Sequence, residues 1–207
     1  MVERKIQETE TIVKALPPLA TEPAPLGLVG LAVAALVIGV TYLGLTAPTK
    51  TLLIPWVLFF GATAQLIAGL MEFKRNNIFG STVFTIYAMT MYSIAVTLCI
   101  LFFTGAAFDI KHYAFGLVGI LIFSMIATVA SLLTTKAFVA IMVVVDIAVA
   151  CLLPHYFVGF SSIPAGFFLI LTSILSFYTA AAILINTMLG KSLIPLGKPL
   201  WNVNKNR

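Results

Sequence analysis

Hydroxyl-bearing residues recur along this chain at helical spacing. Ser124, Thr128, Ser131 and Thr135 fall at i, i+4, i+7 and i+11, one narrow face of a helix. Thr172, Ser176, Thr179 and Asn186 share a second face. Tyr87, Thr90, Ser93 and Thr97 lie within about a third of the circumference at ~100° per residue. Facing inward among apolar side chains, such groups would offer a small polar solute hydrogen bonds in place of its lost water. The same residue types also pack helices together in membranes, and spacing alone fits both roles.

Asp146 is the one acidic residue deep inside an apolar run, where burying its charge is costly. Two roles are open to it: proton coupling, or a structural carboxyl hydrogen-bonded to a neighbouring helix. Glu72 is a second candidate for proton coupling, although its place beside Lys74 and Arg75 suits an ion pair or a cap. No Lys or Arg interrupts the apolar runs. A firmly held anion is therefore not expected, and a weak-acid anion would be met only by hydroxyls, by Gln65 or Asn77, and by helix N-termini. Weak binding suits conduction, because a solute must leave as readily as it enters.

The elements that must position these groups are apolar spans. The 207 residues are 61% hydrophobic and 9% charged, with mean hydropathy +1.11. A soluble domain of this size carries far more charge. Six stretches approach the ~20 apolar residues that a bilayer core demands: 26–45, 52–71, 82–103, 115–133, 138–153 and 164–189. They are continuously apolar rather than alternating, which favours helices over the strands of a barrel. The fold class expected is an all-α integral membrane protein with six transmembrane helices. Residues 1–21 read as a polar tail with a short surface helix over Val2–Lys14, residues 22–189 as the transport domain, and residues 190–207 as a basic tail. Pro48, Pro154 and Pro164 punctuate loops or span starts. His112 and His155 fall in outer loops. Cys99 and Cys151 read as small core residues.

The stretch Glu22-Pro23-Ala24-Pro25-Leu26-Gly27-Leu28 opens the first span. Pro23 and Pro25 suit a first helical turn, and Gly27 and Gly30 allow another backbone close approach. The stretch resembles the Asn-Pro-Ala-Pro-Leu-Gly-Leu signature of the acetate uptake transporter family, which includes the succinate–acetate permeases. Gly61, Gln65, Ala68-Gly69-Leu70, Glu72, Asn77, Phe79-Gly80, Phe84-Thr85, Tyr87, Tyr178, Asn186 and Gly190 follow the family pattern in order, so the resemblance covers residues 22–197.

The resemblance implies a bundle similar to the urea-channel architecture, a homohexameric ring with one passage per protomer, and transport of acetate, with succinate and other short carboxylates as further substrates. It also implies a constriction formed here by Leu31, Tyr87 and Val145, with Leu31 in place of a larger ring and hence a wider neck. Gln65, Asn77, Thr90, Ser124, Thr128, Ser131, Thr172, Ser176, Tyr178 and Asn186 are the expected substrate path. Glu22 replaces the family asparagine and would repel an anion at the inner mouth. The absence of basic residues along the passage keeps a second function open, a channel for neutral urea, ammonia or acetic acid. A third is a non-transporting scaffold whose polar stripes face neighbouring protomers.

Ten of the twelve Lys and Arg residues fall on one side of the six spans and two, Lys50 and Lys111, on the other. Both termini are therefore expected in the cytoplasm and the chain in the plasma membrane of a microbe. No nucleophile–base set, phosphate loop or metal spacing is present, which disfavours an enzyme, a cofactor or a metal. The basic balance reports cytoplasmic segments rather than a nucleic-acid partner.

Overall fold

A computed structural model describes residues 21–46, 52–105, 107 and 109–201. The surface helix expected over Val2–Lys14 and the loop residues Pro48 and Lys50 lie outside these. Six helices are long and apolar enough to cross a membrane: α1 (Ala24–Tyr42), α2 (Leu53–Lys74), α3 (Ile78–Phe103), α4 (Ile110–Ser131), α5 (Lys136–Val158) and α6 (Ile163–Leu189). The described residues contain no strand. The chain is a multi-pass membrane protein.

The ends differ from the expected spans because polar residues continue the helices. Asp109 caps α4 by accepting the Lys111 N–H at 2.9 Å, so the helix starts five residues before Phe115. Asn77 caps α3 by accepting from the Gly80 N–H at 3.1 Å. Pro154 does not end α5, as expected, but sits in its last turns. The carbonyls of Pro154 and His155 are taken up by the N–H groups of Phe160 and Gly159, and Gly159 adopts the left-handed conformation (φ 73°). His112 and His155 likewise stand in terminal helical turns rather than in loops.

Helix α1 is apolar around its whole circumference, as a central helix must be, and packs most extensively against α6 and α2. Pro25 lies in its first turn. Gly27 is required there: a Cβ would stand 2.6 Å from the Phe84 ring and 2.9 Å from the Ala68 methyl. A Cβ at Gly30 would collide with the Phe60 carbonyl oxygen. That carbonyl belongs to Val57–Ala64, where α2 widens into a π-helix and the Thr63 hydroxyl bonds Leu58 O at 2.9 Å.

The segment after α6 folds back along the end of the bundle near Lys136. Asn186 receives the N–H groups of Leu193 and Ile194 at 2.8 and 2.9 Å and donates to Ile194 O at 2.8 Å. Leu196 O accepts from Ala137 N, and Trp201 N donates to Leu132 O.

Candidate functional site

A cavity of about 400 Å³ lies between α1, α3, α4, α5 and α6. Its innermost lining residues on α1, α3 and α5 are Leu31, Tyr87 and Val145, so the three residues of the expected constriction form its floor. Leu31 stands seven residues into α1, and Tyr87 and Val145 each nine residues into α3 and α5. At ~1.5 Å per residue the floor lies about 10–14 Å from those helix starts, short of mid-bilayer. From there the cavity reaches Tyr42, Phe102, Ile110 and Tyr156, at the opposite helix ends.

The lining is mainly aliphatic and aromatic. Its polar groups are hydroxyls: Thr41, Tyr42, Tyr87, Thr90, Thr97, Tyr113, Tyr156 and Thr172. No Lys or Arg is among the described lining residues. At the wide end the hydroxyls of Tyr42 and Tyr156 bond each other, and the Tyr113 ring meets Tyr156 edge-on at 5.0 Å. These tyrosines come from three helix ends far apart in sequence. Sequence reasoning did not single them out, and the general preference of tyrosine for membrane interfaces is the signal that could have found them.

At the floor, the Tyr87 hydroxyl is 2.6 Å from Ser124 Oγ. Ser124 donates to Asp146 Oδ1, and Thr128 donates to Asp146 Oδ2 at 2.6 Å. Asp146 is thus held by α4, the structural alternative set out for it above, and is also joined through Ser124 to the floor. Ser131 is buried and donates to Thr128 O at 2.6 Å. Hence the α4 stripe does not line the cavity, contrary to expectation. Its spacing serves the α4–α5 contact.

Other expected path residues lie elsewhere. Tyr178 donates to Pro195 O at 2.5 Å and Asn186 holds Leu193 and Ile194, so both fasten the C-terminal segment. Asn77 is an exposed cap that also donates to Glu72 Oε2 at 3.0 Å. Ser93 is exposed on the outer face of α3. Gln65 is fully buried below the floor, donating to Gly61 O at 2.6 Å where the π-helical turn ends. Ser176 is fully buried one turn beyond Thr172. Of the expected path residues, Thr90 and Thr172 border the cavity.

Below the floor the bundle is packed. Val83, Phe84, Ile141 and Met142 are buried, and Phe79 meets Phe138 edge-on at 6.0 Å. Yet Gln65 Oε1, Glu72 Oε1, Thr85 Oγ1 and Ser176 Oγ are buried there without a hydrogen-bond partner. Glu72, 1% exposed, lies 3.9 Å from Arg75, whose tighter partner is Glu22 at 2.7 Å. Glu22, expected to repel an anion at the inner mouth, is ion-paired with Arg75.

Comparison with known proteins places the chain. A model of the GPR1/FUN34/yaaH family matches residues 10–196. Over 65 residues the chain is 38% identical to the succinate-acetate/proton symporter SatP of Escherichia coli, covering 31% of this chain and 34% of that one. Over 97 residues it is 29% identical to an uncharacterized protein of Methanothermobacter thermautotrophicus, covering 47% of this chain and 46% of that one. The aligned regions thus span roughly a third to a half of these relatives. The solved structure of the bacterial acetate channel SatP shares the fold, with a TM-score of 0.80 at 23% identity over 86% of this chain and 99% of that one.

Proposed function

This chain belongs to the GPR1/FUN34/yaaH family, and we propose that it carries acetate and other short monocarboxylic acids across a microbial plasma membrane. The observation that supports this most directly is the cavity ending on Leu31, Tyr87 and Val145. Its volume exceeds that of a two-carbon acid, and its aliphatic lining accepts a short alkyl tail. With no cation in the lining, a dianion such as succinate would lose its hydration without compensation. Succinate is accordingly a poorer substrate than acetate.

The passage runs from the hollow half, past the floor, into the half now packed around Phe84 and Met142. Its inner part must loosen for a solute to pass. Gln65 and Ser176, with buried unpartnered oxygens, are the groups that a solute or water would meet there. The protomer is one of six in a ring, with both termini cytoplasmic, as the resemblance and the distribution of basic residues support.

Purified protein in liposomes tests the assignment. Acetate uptake above that of protein-free vesicles is expected, with succinate at least several-fold slower. Acetate current identifies an anion channel, and electroneutral uptake identifies passage with a proton. Urea uptake without acetate uptake in any form would replace the assignment by a neutral-solute channel. Asp146 is the candidate for coupling. An Asp146→Asn protein whose uptake keeps the same pH profile removes it from any proton route, and the same measurement on Glu72→Gln decides for Glu72.

A further inference from the structure

Three threonines that border the cavity give their hydroxyl protons to the backbone. Thr41 donates to Val37 O at 2.9 Å, Thr90 to Ile86 O at 3.0 Å and Thr172 to Phe168 O at 2.9 Å. Each hydroxyl oxygen then keeps only lone pairs for any further partner. At the floor the direction is set by a chain of bonds. A carboxylate accepts only, so Asp146 takes the protons of both Ser124 and Thr128. Ser124 has one hydroxyl proton and is 0% exposed, so no solvent exchanges with it. With that proton on Asp146, the Ser124 oxygen accepts from Tyr87 across 2.6 Å. The Tyr87 O–H therefore points into α4, and only its lone pairs remain for a solute.

Nothing offsets this polarity. The groups facing Asp146 are Ser124 and Thr128 from α4, with Tyr87 of α3 behind Ser124, and no ion pair to Asp146 occurs among the described residues. An anion reaching the floor would exchange hydration for lone pairs of its own sign. A neutral solute carrying its own O–H or N–H finds acceptors.

We infer that the constriction is an acceptor-only filter, which passes small neutral hydrogen-bond donors, undissociated acetic acid among them, in preference to carboxylate anions. Ser124 and Asp146 are its positioning residues, because they fix the direction of the Tyr87 hydroxyl. This inference rests on the cavity being the transport route and sharpens which form of acetate is carried.

Acetamide and acetate test it, since they match in shape while one is a neutral donor and the other an anion. In liposomes at neutral pH, acetamide flux is read by light scattering and acetate flux by current, each corrected for protein-free vesicles. The wild-type chain is expected to pass acetamide at least about tenfold faster, the worth of roughly one hydrogen bond. Ser124→Ala frees the Tyr87 proton and should lower the acetamide-to-acetate ratio about tenfold, whereas Ser124→Thr keeps the hydroxyl and the ratio. A role in packing alone would change both fluxes together. If Ser124→Ala does not fold, Tyr87→Phe replaces it: losing the lone pairs should cut acetamide flux several-fold without admitting acetate. Acetate current equal to or above acetamide flux overturns the filter while leaving acetate transport intact, and so does an unmoved ratio in Ser124→Ala. Acetamide passage with no passage of acetate or acetic acid overturns the inference as stated, since acetic acid is among the donors it names, and removes the acetate assignment. Passage of neither solute removes both.

Discussion

The two halves of the bundle are made of similar residues and are built differently. Toward Tyr42 and Tyr156, helices α1, α3, α4 and α5 stand apart around the cavity, lined there by Ile38, Ile94 and Val149. Toward Glu22 and Asn77, residues of the same kind close up: Leu28, Phe84, Ile141 and Met142 are almost fully buried. Gly27 and Gly30 let α2 and Phe84 touch the α1 backbone in the packed half. In the hollow half Gly39 and Gly166 bring α6 equally close to α1, while Leu31, Ala35 and Ile38 line the cavity on another face of the helix. The packed half also confines polar atoms that have no partner, each costing about 1–3 kcal/mol. The hollow half confines none of these. Openness on one side thus coexists with unrelieved polarity on the other.

The sharpest way to break this contrast is to make the same truncation in both halves. Ile141→Ala should cost about 3 kcal/mol, because a packed site loses contacts on every side. Ile94→Ala borders the cavity and should cost about 1 kcal/mol or less. Thermal unfolding of both variants in one detergent compares them, and equal losses would mean that the cavity is filled in the folded protein. A second test adds volume. Val145→Phe at the floor should reduce acetate uptake about tenfold, since the added ring takes its volume from the cavity's end beside Leu31 and Tyr87. Val149→Phe, one turn farther into the wide part, should reduce it no more than about twofold. Similar inhibition by both would move the narrow point away from Tyr87.

Much of the hollow half was legible in the chain. Length and hydropathy are enough to place six helices, because lipid leaves no other way to pair the backbone. Leu31, Tyr87 and Val145 were placed by resemblance, and all three line the cavity. The role of the hydroxyl stripes was not legible. A stripe fixes which residues share a face, but not what that face meets. On α4 it meets Asp146, which lies 22 positions from Ser124 and 18 from Thr128, a register set only when α4 and α5 dock. The bonds of Tyr178 and Asn186 were not legible for a related reason: their partners are backbone groups of an irregular segment, which carries no periodic signal. The π-helical turn of α2 left no mark either, since Val57–Ala64 reads as an ordinary apolar run.

The smallest expected effect sharpens the contrast most at the inner end. Glu22 and Arg75 are each about a quarter exposed and 2.7 Å apart, and Arg75 lies 3.9 Å from Glu72. A partly solvated pair of this kind contributes under about 1 kcal/mol. Glu22→Asn removes a charge already matched by Arg75, so acetate uptake should stay within about twofold of the wild type at moderate salt. Arg75→Gln should do more, because it leaves Glu22 and Glu72 facing each other without a cation. Its unfolding temperature should fall slightly and recover as added salt screens the two carboxylates. A several-fold gain of acetate uptake in Glu22→Asn would show that charge at the inner mouth limits the flow. Selection would then reside in the packed half, and the floor at Tyr87 would be only a place where the cavity stops.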